Sequence, residues 1–117
     1  MKFLLPILLM VSIHPNIDTS LVRYGDISKF STERNDKVAT IDSKRIYAKI
    51  PSYILIKKEK VKQGSARYHE LMTKATREYK LILKQVAMEK NFVLIVENGG
   101  VHNYKFETAT KMCIEKI

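Results

Sequence analysis

Apolar and polar positions change period at residue 91, and that change organises the chain. Before it, Tyr68, Met72, Ala75, Tyr79, Ile82 and Val86 recur at steps of four and three. Such spacing keeps side chains on one stripe of a helix, as in the seam of a coiled coil; a strand would alternate every second residue. After it, six residues rich in branched apolar side chains, FVLIVE at 92–97, stand between Asn91 and Asn98-Gly99-Gly100. A short continuous apolar run bounded by turn residues predicts a strand buried on both faces. A rod of about 25 residues, roughly 37 Å long at 1.5 Å rise per residue, therefore feeds a small sheet.

The same heptad steps can be followed backwards from Tyr68 through Ser65, Val61, Lys58 and Ile54. The seam turns polar around Gly64-Ser65, where a helical glycine would cost about 1 kcal/mol against alanine. The pattern predicts a helical hairpin turning there, with one long bent helix over about 52–90 as the alternative. Upstream, VATI at 38–41 predicts a strand, Asp42 or Ser43 an N-cap, and Arg45 to Ile50 a short helix stopped before Pro51. Ile46, Tyr47 and Ile50 give that helix its packing face. Downstream, Asn98-Gly99 predicts a tight turn, 101–104 a returning edge strand, and Glu107 or Thr108 the cap of a C-terminal helix. The expected fold class is α+β.

Residues 14–37 show neither period and are scattered with Ser, Thr, Asn, Asp and Gly, which predicts a linker. Residues 1–13 hold one lysine followed by an eleven-residue apolar run, FLLPILLMVSI. A spanning helix needs about twenty such residues. The segment fits a secretory signal without an obvious cleavage site, an anchor shortened at its start, or a plain apolar element. The domain organisation is then a signal-like or truncated membrane segment (1–13), a linker (14–37) and a small domain with a helical arm (38–117).

Charge adds a surface property. The chain carries a formal +9. Residues 38–117 alone hold sixteen Lys and Arg against eight Asp and Glu, leaving +8. The excess belongs to the folded part and attracts anionic partners: acidic proteins, anionic membrane surfaces or nucleic acid. It is densest at Lys57, Lys58, Lys60 and Lys62, just after the apolar Tyr53 and Ile54. These six residues are the candidate partner-contact surface; a solvated helix end is the bland reading of the same residues. No helix-turn-helix, zinc-knuckle or RNA-binding signature accompanies them, which argues against nucleic acid. A long rod on a tiny sheet buries little of its own surface, so a partner is expected, a second copy or another protein.

Candidate chemistry changes little. His14, His69 and His102 fall in different segments, and His69-Glu70 lacks a second histidine at metal-binding spacing. Gly99-Gly100 lacks the lysine and spacing of a phosphate loop. Cys113, the single cysteine, excludes an intrachain disulfide and has no sequence neighbour that would activate it. The expectation is a protein without catalytic residues, metal or cofactor.

Two segments carry a resemblance. VATIDSKRIYAKIPSY and NFVLIVENGGVHNYKFETATKMCIEKI resemble the opening and closing modules of Skp/OmpH-like periplasmic chaperones. Those proteins separate the two modules by longer helical arms than the middle seen here. The spacing is more similar to that of the TrbI family of F-type conjugative transfer systems. Its helix-to-strand junction resembles EYKLILKQVAMEKNFVLIVE, and the likeness covers roughly the last two thirds of the chain. The TrbI likeness implies a non-enzymatic periplasmic protein of a type IV secretion and pilus-assembly system. It would be exported or tethered to the inner membrane and would contact other secretion-apparatus proteins. The Skp likeness implies instead a small chaperone for unfolded exported proteins.

Overall fold

The run predicted to be buried on both faces is the centre of the sheet. The computed structural model describes residues 16–117; the reading of residues 1–13 as a signal-like or truncated membrane segment lies outside them. In chain order the strands are β1 (Asn16–Ile17), β2 (Val22–Tyr24), β3 (Lys37–Ile41), β4 (Phe92–Glu97), β5 (Val101–His102) and β6 (Glu107–Thr108). The helices are α1 (Ser43–Tyr47), α2 (Pro51–Lys58), α3 (Ala66–Lys90) and α4 (Thr110–Glu115). The main sheet runs β2-β4-β3-β6, with β4 parallel to β3, β3 parallel to β6, and β2 antiparallel to β4. The fold is α+β.

Parallel pairing of β3 and β4 follows from their connection. Two neighbouring parallel strands need a long crossover, and α1, α2 and α3 supply it. Asp42 caps α1 by accepting from the Arg45 N–H at 3.4 Å. Ile46 and Ile50 are fully buried beneath it. Pro51 then opens α2 at a position where its missing N–H costs nothing. Asn91 closes α3 in the left-handed region, φ 61°, its N–H donating to the Ala87 carbonyl. An asparagine tolerates that geometry, and the helix passes into β4 with no intervening loop.

The pleat of β4 divides the core. Phe92 and Ile95, with Ala39 and Ile41 of β3, face the helices and pack with Ala75, Tyr79, Ile82, Leu83, Val86 and Ala87 of α3. Leu94 and Val96, with Val38, face the opposite side. That second side is covered by Ile17, Leu21, Val22, Ile27 and Phe30. Here the structure corrects the sequence reading: residues 16–37 do not form a linker. They contribute β2 to the main sheet, pair β1 with β5, and lay an apolar cover across the second face. Two turns of the form Asp-x-Ser shape this cover. Asp18 and Asp26 each accept from the N–H and hydroxyl of the serine two residues on. Gly25 (φ +96°) passes so close to β4 that an added Cβ would lie 2.1 Å from the Val93 carbonyl oxygen, which excludes any side chain.

Asp18, Asp26 and Asp36 are all held below the usual carboxylate range. Hydrogen bonds from Ser20 and Ser28 do this for the first two, and those from Arg34 and Ser31 for Asp36. A carboxyl whose folded value is depressed stabilises the fold above its unfolded value of about 4 and loses that contribution as pH falls below it. Acidification should therefore loosen residues 16–36 before the helical layer. Amide exchange followed from pH 6 to about pH 3 should show protection lost first around Ser20, Ser28 and Ser31. Simultaneous loss throughout the chain would contradict this.

Two further expectations are corrected at the C-terminal end. Residues 101–104 do not return as an edge strand of the main sheet; only Val101 and His102 are extended, and they pair with β1. Glu107 and Thr108 do not cap α4, because both are taken up as β6 against β3. Ala109 precedes the helix without a side-chain cap. Thr110 instead turns its hydroxyl back to accept from the Asp42 N–H at 2.9 Å, tying α4 to the start of α1.

Candidate interaction surface

The hairpin alternative is the one realised. Helix α2 ends in a Schellman turn: the N–H groups of Lys60 and Val61 donate to the carbonyls of Lys57 and Ile56 at 3.3 and 3.0 Å. Lys60 occupies the left-handed position of that turn, φ 53°, where glycine is the usual residue. Gly64 (φ +90°) makes the second bend. Ser65 then caps α3, its hydroxyl accepting from the Tyr68 N–H at 3.1 Å. The polar break in the heptad pattern at Gly64-Ser65 is this reversal.

The seam residues separate into two groups. Ala75, Tyr79, Ile82 and Val86 are buried against the sheet and α1. Tyr68 and Met72, nearer the turn, are only half-buried. Leu71, Leu83 and Ala87, outside the seam, are buried as well. A helix lying on a sheet needs a broader apolar stripe than a coiled-coil seam, and these three residues supply the width.

At the tip, Lys57, Lys58, Lys60 and Lys62 are all exposed. Ile54 is 43 % exposed and Leu55, part of the same apolar run but outside the six candidate residues, 36 %. Tyr53 belongs more to the packing than to the surface: its half-buried ring lies 5.7 Å from that of Tyr47. Lys57 places its ammonium over the same ring, 5.7 Å from its centre. Glu59 is spoken for by Arg67, at 2.8 Å. The four lysines therefore stand without a carboxylate partner among the described residues, beside two exposed aliphatic side chains.

A polar clamp holds the base of this hairpin to the sheet. Glu97, at the end of β4, accepts from the Ser43 N–H at 2.9 Å and from the Ser43 hydroxyl at 2.5 Å. Ser43 has spent its proton, so the Tyr79 hydroxyl, 2.6 Å away, donates to it. Arg23 of β2 closes the network on Glu97 at 3.2 Å. The Tyr79 ring is stacked on Tyr47, centroids 4.6 Å apart and planes 20° apart, and burial pushes its phenol upward. One carboxylate thus joins α1, α3, β2 and β4. Ser43, with both neighbours committed, is a structural hydroxyl rather than a free nucleophile.

Other candidate groups stay apart. His69 is exposed on α3 and His102 exposed in β5. Cys113 is fully buried in α4, and burial pushes its thiol up to about 11, so it remains protonated at neutral pH. Among the described residues no three His, Cys, Asp or Glu side chains gather closely enough to hold a metal ion. No helix among them is long and apolar enough to cross a membrane. Comparison with known proteins adds no relative: no family model, curated protein or solved structure matches the chain.

Proposed function

We propose that this chain is a non-enzymatic interaction protein of a conjugative type IV secretion and pilus-assembly apparatus, TrbI-like, acting in the periplasm through its helical hairpin. The observation that carries the reading is the unpaired cationic tip. Lys60 sits where glycine would form the same turn without the roughly 1 kcal/mol cost of a left-handed L-residue. A lysine there adds a fourth cation to Lys57, Lys58 and Lys62 beside Ile54 and Leu55, while the intervening Glu59 is turned to Arg67. A rigid rod, clamped at its base and charged at its end, is suited to reaching an acidic surface on a neighbouring subunit. The order of strand, compact helical hairpin, strand and terminal helix supports the resemblance to the TrbI family, whereas the opening motif and the glycine turn at Gly99-Gly100 speak for the Skp/OmpH-like chaperones. The shortness of the hairpin favours it over the longer-armed Skp/OmpH-like chaperones, which remain the second reading.

Charge reversal at the tip tests the proposal. The quadruple change Lys57→Glu, Lys58→Glu, Lys60→Glu, Lys62→Glu touches only exposed side chains. It should leave thermal unfolding within a few degrees of wild type, as surface substitutions usually do. Introduced in place of the wild-type gene, it should lower the frequency of conjugative DNA transfer about tenfold or more, the equivalent of about 1.4 kcal/mol at one contact. Transfer at the wild-type level would reject the tip as the working surface. Suppression of porin aggregation at stoichiometric ratio, with transfer unaffected, would select the chaperone reading instead.

A further inference from the structure

The solvent side of α3 carries a second heptad series, offset from the buried seam: Arg67, Glu70, Lys74, Arg77, Leu81, Lys84 and Met88. Leu81 is 55 % and Met88 66 % exposed, the two most exposed large apolar side chains among the described residues. They stand two helical turns apart in the same heptad position, about 10.5 Å along the axis. Three cations lie one turn or less from Leu81, Arg77 and Lys84 on this face and Lys80 at its edge, and the half-buried Glu78 lies one turn before Leu81 on its other side. None of the three makes an ion pair among the described residues, although Lys116–Glu89 and Arg67–Glu59 pairs flank the region. Lys80 and Lys84 are themselves a like-charge pair at i, i+4, which disfavours the isolated helix. Toward the tip, the face continues into a shallow depression lined by His69, Met72, Thr73, Thr76, Arg77 and Lys80.

A solvated helix face gains from alternating charges and needs no apolar rungs. We infer that this face of α3 docks an acidic amphipathic helix of a partner protein, its apolar side chains on Leu81 and Met88 and its carboxylates on Arg77, Lys80 and Lys84. Charge complementarity selects this occupant. A second copy packed in parallel would set the same three cations against their equivalents, and like charges across an interface cost several kcal/mol; self-association through this face in the absence of any peptide, lost on Leu81→Ser with Met88→Ser, would overturn the inference. A lipid surface calls for an apolar stripe about 100° wide, whereas Leu81 and Met88 form a single row. Nucleic-acid phosphates would use the cations and leave both apolar rungs uncovered. The inference concerns a surface separate from the hairpin tip, and extends the proposed function by naming the chemistry of one partner.

The test uses the full chain and three probes: a helical peptide of about five turns with leucine at its seam positions and glutamate beside them, its lysine twin, and phosphatidylglycerol vesicles. The glutamate peptide should bind and the lysine twin should not. Leu81→Ser with Met88→Ser, and separately Lys80→Glu with Lys84→Glu, should each weaken peptide binding about tenfold or more. The second pair should gain binding of the lysine twin. Both variants alter exposed side chains and should melt like wild type. Lys58→Glu with Lys60→Glu, at the tip, should bind the peptide undiminished, so the two surfaces fail or succeed separately. No binding of the glutamate peptide, binding indifferent to the α3 variants, or vesicle binding lost through Leu81→Ser with Met88→Ser would each overturn the inference.

Discussion

Removal of residues 1–36 should abolish cooperative folding of the remainder. The cut strips β2 from β4 and uncovers Val38, Leu94, Val96 and Val101, all less than 9 % exposed in the intact chain. Burying one such side chain stabilises by about 1.5–3 kcal/mol. Four of them reach roughly 6–12 kcal/mol, comparable to the whole stability of an ordinary domain, about 5–15 kcal/mol. Fragment 37–117 should therefore show no sharp thermal transition and should bind a hydrophobic dye. A sharp transition at the full-length temperature would mean that the N-terminal segment is dispensable.

The second large effect is at Tyr79. Its side chain is 6 % exposed, stacked on Tyr47 and hydrogen-bonded to Ser43, whose other partner is the Glu97 carboxylate. Tyr79→Asp would place a second carboxyl beside Glu97 in a site built for an aromatic ring. Loss of the ring alone costs on the order of 3–5 kcal/mol, and an unpaired buried charge adds to it. Tyr79→Phe keeps the ring and gives up one hydrogen bond, a loss of about 1 kcal/mol. Urea titration should find the Asp variant largely unfolded in buffer and the Phe variant slightly shifted in midpoint. Equal midpoints for the two variants would show that the ring does not anchor the hairpin.

The contrast between these two regions explains what could be read from the chain. Helix α3 repeats its apolar pattern over many turns, so its existence, its end at Asn91 and its passage into β4 are visible locally. The reversal at Gly64-Ser65 is visible for the same reason, as a polar gap in the series. Strands β1, β2 and β6 are two or three residues long, too short for any period to emerge from Asn16-Ile17, Val22-Arg23-Tyr24 or Glu107-Thr108. They exist because neighbours distant in sequence offer free strand edges. One inference was nonetheless within reach: a strand buried on both faces needs two covers. Helices could supply only one, which left residues 16–36 as the other. The clamp of Ser43, Tyr79, Glu97 and Arg23 spans up to 74 residues and has no local signature. The stripe containing Leu81 and Met88 does have one, a second heptad series obscured by the stronger buried seam.

The proposed contact of the hairpin with protein partners is open to a direct measurement in cells that carry a conjugative transfer apparatus. A photo-crosslinking amino acid is placed singly at Lys58, at Leu81 and at His102, all exposed, the last in β5 away from the hairpin. Illumination should yield discrete adducts with subunits of the apparatus from Lys58 and Leu81, and none from His102. Adducts from His102 alone, or no protein adduct from either hairpin position, would contradict the account.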